Sequence, residues 1–88
     1  MIKDKFNLHY TQERPAGTVR SEVELIDYTG ENFDNLSRAS WFGGWLERKG
    51  INYKNLNEEE VGRYLLDFFN DTLRPNESRR EFVKIEIV

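Results

Sequence analysis

Three segments of the chain alternate apolar and polar side chains with a period of two. Between the second and the third, apolar positions recur instead every three or four residues. That change of period, from strand to helix and back, restricts the fold more than any other feature. In "IKDKFNLHYT", residues 2–11, Ile2, Phe6, Leu8 and Tyr10 share one face, and Lys3, Lys5, Asn7 and His9 the other. "ERPAG" follows with turn chemistry: Pro15 sets φ and Gly17 is free to take a positive one. "TVRSEVELIDY" then alternates again, Val19, Val23 and Leu25 against Arg20, Glu22 and Glu24. The last segment, "REFVKIEIV", sets Val83, Ile85 and Ile87 against Lys84 and Glu86. Each apolar row is expected to face the core.

The helical stretch divides in two. Phe33, Leu36, Ala39, Phe42, Gly43 and Leu46 mark a first helix ending near Gly50, a suitable C′ residue, with Arg48 and Lys49 complementing the negative end of the helix dipole. Asn57 and Glu60 form a capping-box pattern that opens a second helix, and Glu58 and Glu59 suit its positive end. That helix carries Val61, Tyr64, Leu65 and Phe68, with Leu66, Phe69 and Leu73 on a flank, and Pro75 is expected to end it.

The order is therefore β-β-α-α-β, with no internal repeat and no linker. The 88 residues make one domain, 1–88, with one modest core. Amphipathic strands need a cover on their apolar face, and two helices supply it. The fold class is α+β, a two-layer sandwich with a three-stranded sheet covered on one face by two helices. A returning pair of helices would set the third strand antiparallel to the second and parallel to the first. Sheet order 1-2-3 is preferred on that ground, with 2-1-3 as the alternative.

An aromatic share of 14% is too high for a disordered chain, and the absence of cysteine excludes disulfides and thiolate chemistry. No apolar run approaches a membrane span and "MIKDKFNLHY" has no signal-peptide core, so a cytoplasmic protein without membrane partners is expected. Thirteen basic residues are scattered among sixteen acidic ones, which argues against strong nucleic-acid binding.

Both tryptophans stand in "WFGGW", residues 41–45. At helical spacing Trp41 and Trp45 lie one turn apart beside Asp34 and Arg38, away from the stripe of Leu36, Gly43 and Leu46. Two readings stand. In one, both rings fold over the rim of the sheet and complete the core. In the other they form an exposed partner-binding patch with Arg38 and Asp34, next to a notch at Gly44. Gly43 is expected to let the two helices approach closely, and the helix to break or bend near Gly43-Gly44.

Support for an enzyme is thin. His9, the single histidine, falls on the polar face of its strand with no nucleophile at usable spacing. Glu58, Glu59 and Glu60 point in three directions, so no metal site is expected, and no glycine-rich phosphate loop or other cofactor motif is legible. Asp67 and Asp71 sit near the end of a helix where the dipole disfavours them, with Arg63 and Arg74 as the nearby compensators and a basic partner surface as the other. The function expected is a non-enzymatic protein-binding or regulatory module. Its partner is a protein or a second copy, through the hydrophobic last strand or a helix surface. The alternative is weak nucleic-acid binding along a basic strip of Arg79, Arg80 and Lys84, joined by Lys3, Lys5 and His9 if strands one and three are neighbours.

Overall fold

A computed structural model describes residues 3–14, 17–29 and 41–88. The first two strands, β1 (Phe6–Glu13) and β2 (Val19–Ile26), form an antiparallel hairpin in which Phe6 faces Ile26 and Glu13 faces Val19. The hairpin closes through Arg14 N–H to the Thr18 carbonyl at 2.7 Å and Gly17 N–H to the Arg14 carbonyl at 2.8 Å. Gly17 adopts φ +80°, the left-handed conformation that ends a three-residue hairpin loop.

After the helices the chain returns as β3 (Arg80–Ile87), which pairs with β1 and runs antiparallel to it. The sheet order is 2-1-3, and both pairings are antiparallel. This corrects both the preferred 1-2-3 order and the expected parallel relation of strands one and three. The reason is the run of α2 (Glu58–Asp71), fourteen residues long against seven in α1 (Phe42–Arg48). At 1.5 Å per residue α2 spans about 21 Å, close to the length of an eight-residue strand. It starts at the end of the sheet where β2 stops, Ile26 opposite Phe6, and crosses to the other. Glu58 begins α2 beside Lys3 and Asp4, and Asn70 ends it against Arg80, so the chain is delivered to the opposite end of β1.

Local chemistry sets each helix end. Helix α1 runs unbroken through Gly43 and Gly44, against the expected break there. It stops in a Schellman motif: Ile51 N–H bonds to the Leu46 carbonyl, Gly50 N–H to the Glu47 carbonyl, and Gly50 takes φ +74°. A single 3₁₀ turn (Tyr53–Asn55) leads to the capping box, where Glu60 N–H donates to Asn57 Oδ1 at 2.9 Å and Asn57 N–H to Glu60 Oε1 at 3.1 Å. Helix α2 ends at Asp71, four residues ahead of Pro75; Thr72 bonds back to the Phe68 carbonyl through both its N–H and its hydroxyl.

Glu58 is the other fastening at this end. Its carboxylate accepts the backbone N–H groups of Lys3 at 2.8 Å and Asp4 at 3.2 Å, tying the approach to β1 onto the first turn of α2. The bond from Lys3, opposed by partial burial, holds its pKa below the usual carboxylate value. A lowered folded-state pKa means that the ionised form is the one the fold prefers. Its contribution is present above the carboxylate range and is lost as pH falls through the lowered value. Glu58→Gln should therefore be less stable than wild type at neutral pH, by under about 1 kcal/mol at so exposed a site, with the gap closing in acid. Urea melts at pH 7 and pH 3 measure it.

The core joins Phe6, Leu8 and Tyr10 of β1 and Ile26 of β2 to Phe42, Trp45 and Leu46 of α1, Leu56, and Val61, Leu65 and Leu66 of α2. Helix α2 lies over β3. Two strand faces differ from expectation. The register that places Phe6 opposite Ile26 also places Glu24 opposite Leu8 and Glu22 opposite Tyr10, so those carboxylates share the helix side of the sheet. Val19, Val23 and Leu25 consequently lie on the outer face, 68%, 53% and 59% exposed. In β3 a bulge opposite His9 and Tyr10 brings Phe82, not Val83, into register with Tyr10. Phe82 and Ile85 pack on the core, and Val83 is exposed. Among the described residues no helix is long and apolar enough to cross a membrane.

Candidate functional site

The two tryptophans separate. Trp45 is 7% exposed and stands among Phe42, Tyr64 and Phe68, its ring centroid 6.0 to 6.5 Å from each of theirs. Its indole N–H donates to Asp71 Oδ2 at 2.9 Å. Trp41, at the N-cap of α1, is 76% exposed. The exposed pair is thereby corrected: Trp45 belongs to the core and Trp41 alone is on the surface. Seven residues of helix explain the split, because Trp41 precedes the first full turn while Trp45 sits in the turn that α2 covers. Gly44 is half-buried, and a β-carbon added there would meet the Arg48 guanidinium at 3.5 Å. Asp34 and Arg38 lie outside the described residues.

Trp41 borders an open groove of about 690 Å³ whose floor is Phe68 and Phe69 of α2 and whose far wall is Thr72, Pro75 and Arg80. Two kinds of order fix that wall. The loop after α2 is closed on itself: Arg74 N–H donates to Glu77 Oε1 at 3.2 Å, and Glu77 N–H to the Arg74 carbonyl at 3.0 Å. The loop is also tied to the sheet. Asn70 Nδ2 donates to the Arg80 carbonyl at 2.9 Å and Asn70 Oδ1 accepts Arg80 N–H at 2.8 Å, so one side-chain amide continues the backbone ladder. Gln12 Nε2 adds a bond to the Ser78 carbonyl.

Arg80 lies flat in the groove. Its guanidinium stands 4.6 Å from the Phe69 ring and 5.7 Å from the Tyr10 ring, with Nη2 3.7 Å from Glu77 Oε2. Burial raises the Tyr10 pKa, with Glu24 adding to the shift and Arg80 opposing it, so the phenol stays protonated and can donate to Glu24 at 3.4 Å. The groove thus presents aromatic and aliphatic surface with one basic plane already paired to an acid. Such a surface suits an apolar or aromatic group.

The basic strip does not assemble. Lys84 is on the outer face, in register with His9, whereas the Arg80 side chain is turned to the helix side and stacked. The 2-1-3 order does place β1 beside β3, but Glu86 meets His9 at 3.2 Å on that face, and Arg79 lines a different, shallow depression with Glu13 and Glu81. Asp71 is compensated from α1, by the Trp45 N–H and by Lys49 at 3.7 Å, and not by Arg63 or Arg74. Arg63 instead pairs with Glu59 and stacks 4.0 Å over Phe82. Among the described residues no group of three or more His, Asp or Glu side chains is placed to hold a metal ion.

Phe68, Phe69 and Pro75 were not recognisable as site residues in the sequence. The signal that pointed toward them was the apolar arc of α2, wider than covering one sheet requires. Comparison with known proteins adds nothing to the geometry: no family model, no curated protein and no solved structure matches this chain.

Proposed function

We propose that the chain is a non-enzymatic, cytoplasmic module that binds a protein through the groove beside Trp41, an apolar side chain of the partner inserting between Trp41, Phe68 and Phe69. One observation carries the reading. A tryptophan 76% exposed at the rim of an aromatic floor is a costly surface to leave in water, and tryptophan is the residue type most often found to anchor an interface. The rigid far wall supports it, because a groove held open by Asn70 and Glu77 needs little ordering when a partner arrives. The lack of cysteine in the chain suits a reducing compartment.

Trp41→Ala is the test. The variant should keep its stability within about 0.5 kcal/mol, as exposed substitutions do. It should lose the partners that the wild-type domain retains in quantitative affinity capture, and a single anchor of this type commonly accounts for 2 kcal/mol or more, a thirtyfold loss in affinity. Identical partner profiles for the two proteins would remove the groove from the functional account. A wild-type domain that retains RNA or DNA in place of protein would revive the basic-strip alternative.

A further inference from the structure

Among the described residues the sheet has two open edges, those of β2 and β3, and they are not alike. β3 is blunted by the bulge at Val83 and by Lys84, the devices that ordinarily keep an edge from pairing. β2 pairs with β1 through eight consecutive residues without a bulge, and it contains no proline and no lysine. Among the described residues no strand lies against its other side.

Which backbone groups face that side follows from the ladder. Arg14 N–H bonds to the Thr18 carbonyl, and on the opposite edge of β1 Val88 N–H bonds to the Lys5 carbonyl. Even-numbered residues of β1 therefore bond toward β2 and odd-numbered ones toward β3. By the same alternation Val19, Ser21, Val23 and Leu25 turn their N–H and C=O groups outward from β2. Three of them, Val19, Val23 and Leu25, carry the exposed apolar row on the outer face of the sheet.

We propose that β2 pairs antiparallel with β2 of a second copy about a two-fold axis through Glu22, joining two three-stranded sheets into one of six strands. Charge selects the register. With Glu22 on the axis, Arg20 stands opposite Glu24 of the copy twice over, Val19 opposite Leu25, and Ser21 opposite Val23. The two Glu22 side chains face each other at the axis, and each is paired with Arg14 of its own chain at 2.8 Å, which leaves Arg20 for the copy. Moving the axis to Val23 would oppose Glu22 with Glu24 twice. Moving it to a point between residues would set every apolar side chain against a polar one or place the two helix layers on opposite faces. Moving it back to Ser21 would also match charge, Arg20 against Glu22 twice, but it leaves Glu24 and Leu25 unpaired and shortens the ladder. Of these registers the Glu22 one uses all four outward-facing residues, sets Arg20 against Glu24 twice, and makes the apolar row continuous across both copies. It also accounts for Glu22 and Glu24 standing opposite Tyr10 and Leu8 on the helix side of the sheet: they read the partner's strand.

Sedimentation equilibrium of the full chain, from micromolar to submillimolar concentration, tests it. The wild type is expected to dimerise, and Trp41→Ala to dimerise equally, since the groove is elsewhere. Arg20→Glu and Glu24→Arg, both at exposed positions, should each raise the dissociation constant tenfold or more by turning two attractions into two repulsions. Mixing the two variants should restore association, because each then supplies the charge that the other lacks; residues 20 and 24 are too far apart along one extended strand to compensate within a chain. The chain has no cysteine, so a single introduced one reports register: Glu22→Cys should oxidise to a disulfide-linked dimer and Lys84→Cys should not. A wild type that stays monomeric overturns the proposal. So do a dimer indifferent to both charge reversals, one lost in Trp41→Ala, or one that cross-links through residue 84 and not 22.

Discussion

Trp45→Ala is expected to unfold the domain or bring it to the edge of unfolding, while Trp41→Ala leaves it standing. Truncating a buried ring costs roughly 3 to 5 kcal/mol in lost transfer energy and residual cavity. Here the ring also bridges elements: it meets Phe42 within α1, Tyr64 and Phe68 across on α2, and through its N–H the carboxylate of Asp71. Removing it leaves Asp71 near the negative end of its helix with only Lys49, at 3.7 Å and half exposed, to offset it. A domain of 88 residues has a total stability of similar size to that loss. Trp41 has none of these contacts and 76% of its surface in water. Urea melts followed by circular dichroism separate the two. Equal midpoints for the two variants would place both rings in the same environment and remove the distinction on which the groove depends.

The same pair shows how far the sequence could be read. Helical spacing set both tryptophans away from the stripe of Gly43 and Leu46, which holds for Trp41 and not for Trp45, buried in one cluster with Leu46. That one of them is core was not visible, because it depends on where α1 begins and on α2 reaching over its second turn. The capping box at Asn57 and Glu60, the glycine stop at Gly50 and the positive φ of Gly17 were all legible, since each is settled by residues within one turn of it. Sheet order was not. It depends on the end of the sheet from which α2 starts, which no local pattern states; the part of the expected first helix that precedes Trp41 lies outside the described residues. The face of β2 was misread for a different reason. An apolar row was taken to be the inward row, yet the three-residue loop closed by Arg14 and Thr18 fixes even against even, and β1 admits only Phe6, Leu8 and Tyr10 inside. Loop length was the overlooked signal, and it outweighs the hydrophobicity of a strand whose apolar row has somewhere else to go. The bulge at Val83 had no sequence signature of this kind, since neither glycine nor proline marks it.

Gly62→Leu is the second substitution expected to be severe. Gly62 is buried on the face of α2 that lies on the sheet. A β-carbon added there would come within 3.0 Å of Ile85 Cγ2, 3.2 Å of Leu8 Cδ1 and 3.5 Å of Phe6 Cε2. The three atoms belong to two adjacent strands, so the glycine is the point at which the helix axis settles between β1 and β3. Two effects compete when the residue is enlarged. Replacing glycine in a helix interior gains up to about 1 kcal/mol from backbone entropy, and that gain is the same for alanine and nearly so for leucine. Overpacking costs roughly 1 to 3 kcal/mol or more and grows with the side chain. For alanine the two are comparable, because Ile85 is only partly buried and can yield a few tenths of an ångström. For leucine they are not, because Leu8 and Phe6 are fully buried and have no space into which to retreat. Gly62→Ala should therefore lie within about 1 kcal/mol of wild type, and Gly62→Leu should lose 3 kcal/mol or more as α2 is lifted from the sheet. Since α2 also forms the floor of the Trp41 groove, the leucine variant should lose partner capture together with stability, whereas the alanine variant keeps both. Urea midpoints for the pair decide it: a leucine variant as stable as the alanine one would mean that the helix does not rest on the sheet at this residue.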